Sequence, residues 1–137
     1  MLRLQQPRIE LALLRARIAL AHRGTPTDDG LRVARGVADA LVKEGAAWAV
    51  ALGHLVRAAT WSAIGAGDEA IATLLGVEEQ LVATGMTGYL QLARLRRGVL
   101  EGGAGGLARA EAARDLLRDL GAVDPNAFAA LLVPWPT

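Results

Sequence analysis

The chain has 137 residues, of which 28 are Ala and 23 are Leu; 53% of the residues are hydrophobic and 4% aromatic. This apolar content excludes a disordered chain, and the lack of Cys excludes a disulfide scaffold or a Cys-based zinc site. Fifteen basic residues against 14 acidic ones leave a net charge of +1, which supplies no field to steer the chain toward nucleic acid or an anionic membrane.

The length suits one domain, and the shortage of β-branched and aromatic residues argues for an all-α fold. A first helix is predicted from Pro7, which a first helical turn tolerates. Its apolar series is Ile9, Leu13, Ala16 and Leu20, widened by Leu11, Leu14 and Ile18. Gly24 stops it and Thr25-Pro26 turns the chain. Thr27 or Asp28 caps a second helix, which carries Leu31, Ala34, Val37, Ala38, Leu41 and Val42 and ends at Gly45.

A third helix is expected over about residues 46–64. Residues 45–67 hold one charge, Arg57, which at the centre of a membrane span would cost about 2.5–3.5 kcal/mol. Gly53, His54, Thr60 and Ser62 offer little apolar compensation, so the expectation is a helix buried between protein neighbours, with no membrane contact. Gly65-Ala66-Gly67 forms a tight turn. Asp68 opens a fourth helix with Ile71, Leu74, Leu75, Val77, Leu81 and Val82, stopped by Gly85. A fifth spans about residues 87–100, with Leu92, Leu95 and Val99 on one side. Gly102-Gly103-Ala104-Gly105-Gly106 reads as a flexible turn. A sixth helix, about residues 107–120, is expected to bury Ala110, Ala113, Leu116, Leu117 and Leu120 before Gly121. Asp124-Pro125 starts a short seventh through about Leu132, and Pro134-Trp135-Pro136 closes the chain.

Short loops make sequence neighbours antiparallel. Helix starts near 7, 46 and 87 give a hairpin about every 38 to 40 residues, a period that signals a helical solenoid. The expected fold is all-α: three antiparallel hairpins, about 7–44, 46–84 and 87–120, stacked as an α-solenoid with a short C-terminal capping helix at about 125–132.

The middle hairpin carries a more specific signal. Trp61, Gly65, Asp68-Glu69-Ala70-Ile71 and Leu74 resemble the tetratricopeptide repeat, in which an aromatic precedes a turn Gly by four residues and a small Ala follows it by five. Gly65 permits the turn, Ala58 and Ala70 let the two helices approach, and Trp61 and Leu74 fill the space around that approach. The pattern has a large apolar residue where this chain has Arg57. The whole chain also resembles the tetratricopeptide-like helical regions that end large bacterial, myxobacterial-type serine/threonine kinases and related signalling ATPases. The residues in question are Leu100-Glu101-Gly102-Gly103, the Ala-rich run 108–120, Gly121-Ala122-Val123-Asp124-Pro125, Leu131-Leu132-Val133-Pro134, and the opening run 7–16. The resemblance implies a regulatory, partner-binding region and carries no kinase activity, because neither a nucleotide loop nor a catalytic-loop motif is present.

Catalytic, cofactor and metal readings find little support. A P-loop needs Lys and Ser or Thr after its last Gly, and Leu107, Ala108 and Arg109 stand there instead. His22 and His54 lie in different hairpins without metal-ligand spacing, and Ser62 has no sequence-local base. Glu78 and Glu79 are expected to point apart and be solvated. Arg94 and Arg97 share a helical face and are candidates for gripping a carboxylate or acidic peptide, against the alternative that Arg97 pairs with Glu101 or that both are simply solvated. Arg57 joins them as a candidate on the first helix of a hairpin. Solenoid ends expose a core-like face unless capped. Leu2, Leu4, Ile9, Leu13 and Leu20 therefore mark the N-terminal hairpin as the place where a further repeat, a protein partner or a second copy packs. The expectation is a cytoplasmic, non-enzymatic interaction scaffold without cofactor; the alternatives are a self-associating structural bundle and an accessory regulatory domain of a kinase or ATPase.

Overall fold

The computed structural model describes residues 27–122 together with Leu11, Ala12, Leu14, Arg15, Ala16, Ile18 and Ala19. The predicted capping helix at 125–132 and residues Leu2, Leu4, Ile9, Leu13, Leu20 and His22 lie outside them. The described residues form helices and their connections, with no strand among them. Residues 11–19 are helical wherever described. Five helices follow: α1 (Asp28–Lys43), α2 (Ala47–Ala63), α3 (Gly67–Thr84), α4 (Thr87–Glu101) and α5 (Gly103–Asp119). No described helix is long and apolar enough to cross a membrane.

The ends of these helices follow from local chemistry. Thr27 caps α1, its Oγ1 accepting a 3.0 Å hydrogen bond from the Gly30 N–H, with Asp28 and Asp29 in the first turn. Three helices end in the same closure. The N–H of Gly65, Gly85 and Gly121 donates to the carbonyl three residues back, and the next N–H to the carbonyl five residues before it. That is a Schellman motif, and it needs a residue at positive φ; the three glycines take φ of +79°, +70° and +105°. Gly45, also at positive φ, ends α1, so Gly45, Gly65 and Gly85 space the turns evenly at 20 residues.

Each helix packs chiefly on the helices before and after it in sequence. The core between them is built from small and medium side chains. Leu41, Leu55, Leu74, Leu81, Leu92, Leu95 and Leu117 are its largest fully buried members. Ala58 and Ala70, expected at the closest approach of α2 and α3, are fully buried, as is Ala110 on α5.

The tightest crossings use glycine. A Cβ on Gly53 of α2 would lie 2.8 Å from the Ala38 carbonyl oxygen of α1. One on Gly98 of α4 would lie 2.6 Å from the Gly106 carbonyl oxygen and 2.8 Å from the Ala110 nitrogen, both on α5. These neighbours are backbone, so a methyl group there would force the helices apart.

Several sequence expectations are corrected. The run 102–106 is no flexible turn: Gly102 is the joint, and Gly103 through Gly106 form the first turn of α5, whose Gly106 lies against Gly98. The cause is the α4–α5 crossing, which needs a residue without a side chain inside the helix. Leu116 and Leu120 were expected in the core, but are 43% and 57% exposed, because Ala113 and Leu117 already fill the side of α5 that faces α4. Leu75, Val82 and Val99 are exposed for the same geometric reason: Leu74, Val77, Leu81, Leu92 and Leu95 occupy the packed sides of their helices.

The glycines make opposite predictions. Gly98→Ala should lower stability by about 1–3 kcal/mol through overpacking. Gly76→Ala, at an exposed site with open space around its would-be Cβ, should raise it by about 0.5–1 kcal/mol. Thermal unfolding followed by circular dichroism reads both; equal shifts for the two variants would contradict the backbone contact.

Candidate functional site

Three places bear on function: an ion network across α3, α4 and α5, a cleft between α1 and α2, and the outward side of residues 11–19.

The network centres on Glu78 of α3, a buried carboxylate. Arg97 of α4 reaches it with two hydrogen bonds, Nε to Oε2 at 2.5 Å and Nη2 to Oε1 at 2.9 Å. Arg94 approaches the same carboxylate at 3.6 Å. Glu101 then accepts from Arg97 at 2.7 Å and from Arg109 of α5 at 2.8 Å. The Glu78 hydrogen bond is the main reason the Arg97 pKa stands above its ordinary value; partial burial opposes it, and the Glu101 hydrogen bond adds to it. Two expectations change here. Glu78 is not solvated, because the α3–α4 crossing encloses it. Arg97 is not open to an external anion, because Glu78 and Glu101 already take its donors and its side chain is 13% exposed. The expected Arg97–Glu101 pair does form. Arg94 keeps more exposure, but sits beside the same carboxylate. Nearby Arg96 has its pKa lowered to about 10 by burial and by the charge of Arg114, and remains cationic at neutral pH.

The cleft lies where α1 crosses α2. Arg35 and Asp39 from α1 and Arg57, Thr60 and Trp61 from α2 line a volume of about 250 Å³. The Arg57 Nη2 donates to Asp39 at 2.9 Å, and the Thr60 hydroxyl donates to the Arg57 carbonyl at 2.7 Å. Arg35 is exposed and makes no ion pair among the described residues. Helical spacing explains the set: 35 and 39 are one turn apart on α1, and 57, 60 and 61 share a side of α2. Trp61, expected to fill the space around the approach of Ala58 and Ala70, lines this cleft together with α1 residues. Arg57 was the departure from the repeat pattern; here it supplies the wall of a cleft. Sequence reasoning missed Arg35 and Asp39, because nothing local on α1 indicates that α2 brings Arg57 opposite them.

The third place is apolar. Leu11, Leu14 and Ile18 follow helical spacing and are 60%, 46% and 70% exposed, while Ala16 between them is buried. Next to them Arg15, Ile18, Ala19, Asp29, Gly30 and Val33 line a shallow cleft of about 360 Å³. Also on α2, the His54 Nδ1 lies 3.2 Å from the Gln80 Oε1 of α3, an interhelical contact. Among the described residues there is no group of three His, Cys, Asp or Glu side chains able to hold a metal ion. In comparisons with known proteins, no family model, curated protein or solved structure matches the chain.

The ion pairs should rank by burial. Glu78→Gln leaves a partly buried guanidinium with one carboxylate partner and should cost about 1–3 kcal/mol. Asp39→Asn breaks an exposed pair and should cost less than about 1 kcal/mol. Urea denaturation midpoints measure both, and a larger loss for Asp39→Asn would overturn the ranking.

Proposed function

We propose that this chain is a non-catalytic protein–protein interaction scaffold, three helical hairpins stacked as a tetratricopeptide-like α-solenoid. In this reading it works in the cytoplasm as a regulatory module of a larger bacterial signalling protein or assembly. Among the described helices α1 to α5, packing runs chiefly from neighbour to neighbour, which supports the open stack, since a closed bundle would also join α1 and α5. The evenly spaced Gly45, Gly65 and Gly85 turns support the repetition. Their 40-residue hairpin spacing exceeds the tetratricopeptide period of about 34 residues. The likeness therefore lies in the paired small residues and the turn, with longer helices between them.

The observation that carries the reading is the Leu11, Leu14 and Ile18 stripe. It sits on the first described helical stretch, and Ala16 ties that stretch to the core. Covering such side chains is worth about 1.5–3 kcal/mol each when burial is complete. A partner protein or a further repeat supplies that cover.

A second reading has its own support. The cleft beside Ile18 carries Arg15 and Asp29, charges of opposite sign. A two-fold axis through it would pair each with its counterpart, so a self-associating structural role is the alternative. An accessory domain acting on a kinase or ATPase is a special case of the first reading.

A photo-crosslinking residue in place of Ile18, in the producing cell, should give one discrete adduct. The same residue at Glu79, exposed on α3, should give none. An adduct of twice the chain mass would assign the site to self-association. Absence of any adduct at position 18 would reject the interaction reading.

A further inference from the structure

We propose that the cleft between α1 and α2 binds a single acidic side chain of a protein partner, its carboxylate held by Arg35 and Arg57 and the flanking apolar residue resting on Trp61. This rests on the reading of the chain as a protein-binding scaffold, and it adds the chemistry that the partner presents.

Charge is the first argument. Arg35 lines the cleft and makes no ion pair among the described residues. Arg57 commits one Nη2 hydrogen bond to Asp39, at 2.9 Å, from a guanidinium with five N–H donors. Two guanidiniums across one cleft match the two oxygens of a carboxylate. Asp39 then sets the valence of the ligand. Two cations and one anion leave a single net positive charge, which a monoanionic carboxylate balances. A phosphate monoester carries about −1.5 to −2 at neutral pH. It would face Asp39 with charge left over.

Size and lining are the second argument. The volume of about 250 Å³ is below the range of roughly 300–1,000 Å³ usual for small-molecule sites. One side chain with part of its neighbour occupies such a space. The Thr60 hydroxyl is already spent on the Arg57 carbonyl, so the guanidiniums are left as the charged donors. The half-buried Trp61 offers an apolar wall beside them. The Arg94–Arg97 pair, with the same chemistry in sequence, has its carboxylate built in as Glu78.

The test uses capped pentapeptides, Gly-Leu-Glu-Leu-Gly and its Gln and phosphoserine counterparts, titrated into the full chain. The NMR signal of the Trp61 indole N–H reports occupancy. The Glu peptide should shift that signal saturably, and the Gln peptide should bind about tenfold more weakly or not at all. Arg35→Ala should weaken the Glu peptide by about tenfold, and Asp39→Asn, which frees Arg57, should tighten it severalfold. Circular dichroism checks that both variants keep their helices. No saturable shift with the Glu peptide, equal binding of Glu and Gln peptides, or unchanged affinity in Arg35→Ala would overturn the proposal. Tighter binding of the phosphoserine peptide would overturn the carboxylate assignment. Crosslinking from position 18 probes a separate surface, so failure here and failure of the scaffold reading are distinguishable.

Discussion

Gly98 on α4 and Gly106 on α5 meet backbone to backbone, and Gly53 on α2 meets the Ala38 carbonyl of α1 in the same way. At these crossings the nearest atoms across the junction are main-chain ones, joined at Gly53 by the Leu41 Cβ and Val42 Cγ2, so the backbone limits how closely the helix axes approach. The rest of the packing follows from that distance. Thin gaps are filled by Ala, Val and Leu, which explains how a chain with 4% aromatic residues builds a core whose largest fully buried members are leucines. It also places the start of α5 inside the Gly-rich run, since the crossing needs a helical residue without a side chain at position 106.

The α3–α4 crossing is built differently. These helices meet less extensively than the other neighbours, and no glycine contact joins them. Glu78 and Arg97 span the junction, and Glu101 extends the link to Arg109 on α5. A buried ion pair is worth less in stability than its geometry suggests, because both charges lose water. Its contribution here is orientation: the two hydrogen bonds from Arg97 to Glu78 fix how α4 lies on α3. The pair also occupies the donors of Arg97, which leaves the more exposed candidate groups on residues 11–19, α1 and α2.

There, under the proposed interaction role, polar and apolar surfaces would divide the work of recognition. The Leu11, Leu14 and Ile18 stripe offers area without direction. The cleft of Arg35, Asp39, Arg57 and Trp61 offers direction with little area. Apolar burial supplies most association energy, and charge supplies partner choice and rate. A scaffold that carried both near its first helices would combine them.

Much of the fold was legible in the sequence, because helix boundaries are local chemistry. The turns at Gly45, Gly65, Gly85 and Gly121 and the cap at Thr27 could be read from residue type and spacing, and so could the buried Ala58, Ala70 and Ala110. The candidate site was legible in fragments. Arg57 stood out as a charge in an apolar helix, but its partners lie on another helix, 18 and 22 residues earlier in the chain. Glu78 and Arg97, 19 residues apart, were read as solvated and as open for the same reason. The sequence by itself determined that the fold is all-α and where most of the described helices start and stop, the start of α5 excepted, because hydrogen-bonded caps and positive-φ glycines depend on a few adjacent residues. Only the tertiary structure decided which charges face one another, which leucines stay outside, and which glycines are contacts rather than hinges. Those outcomes depend on the rotation and spacing of one helix against the next, which no local stretch of residues encodes.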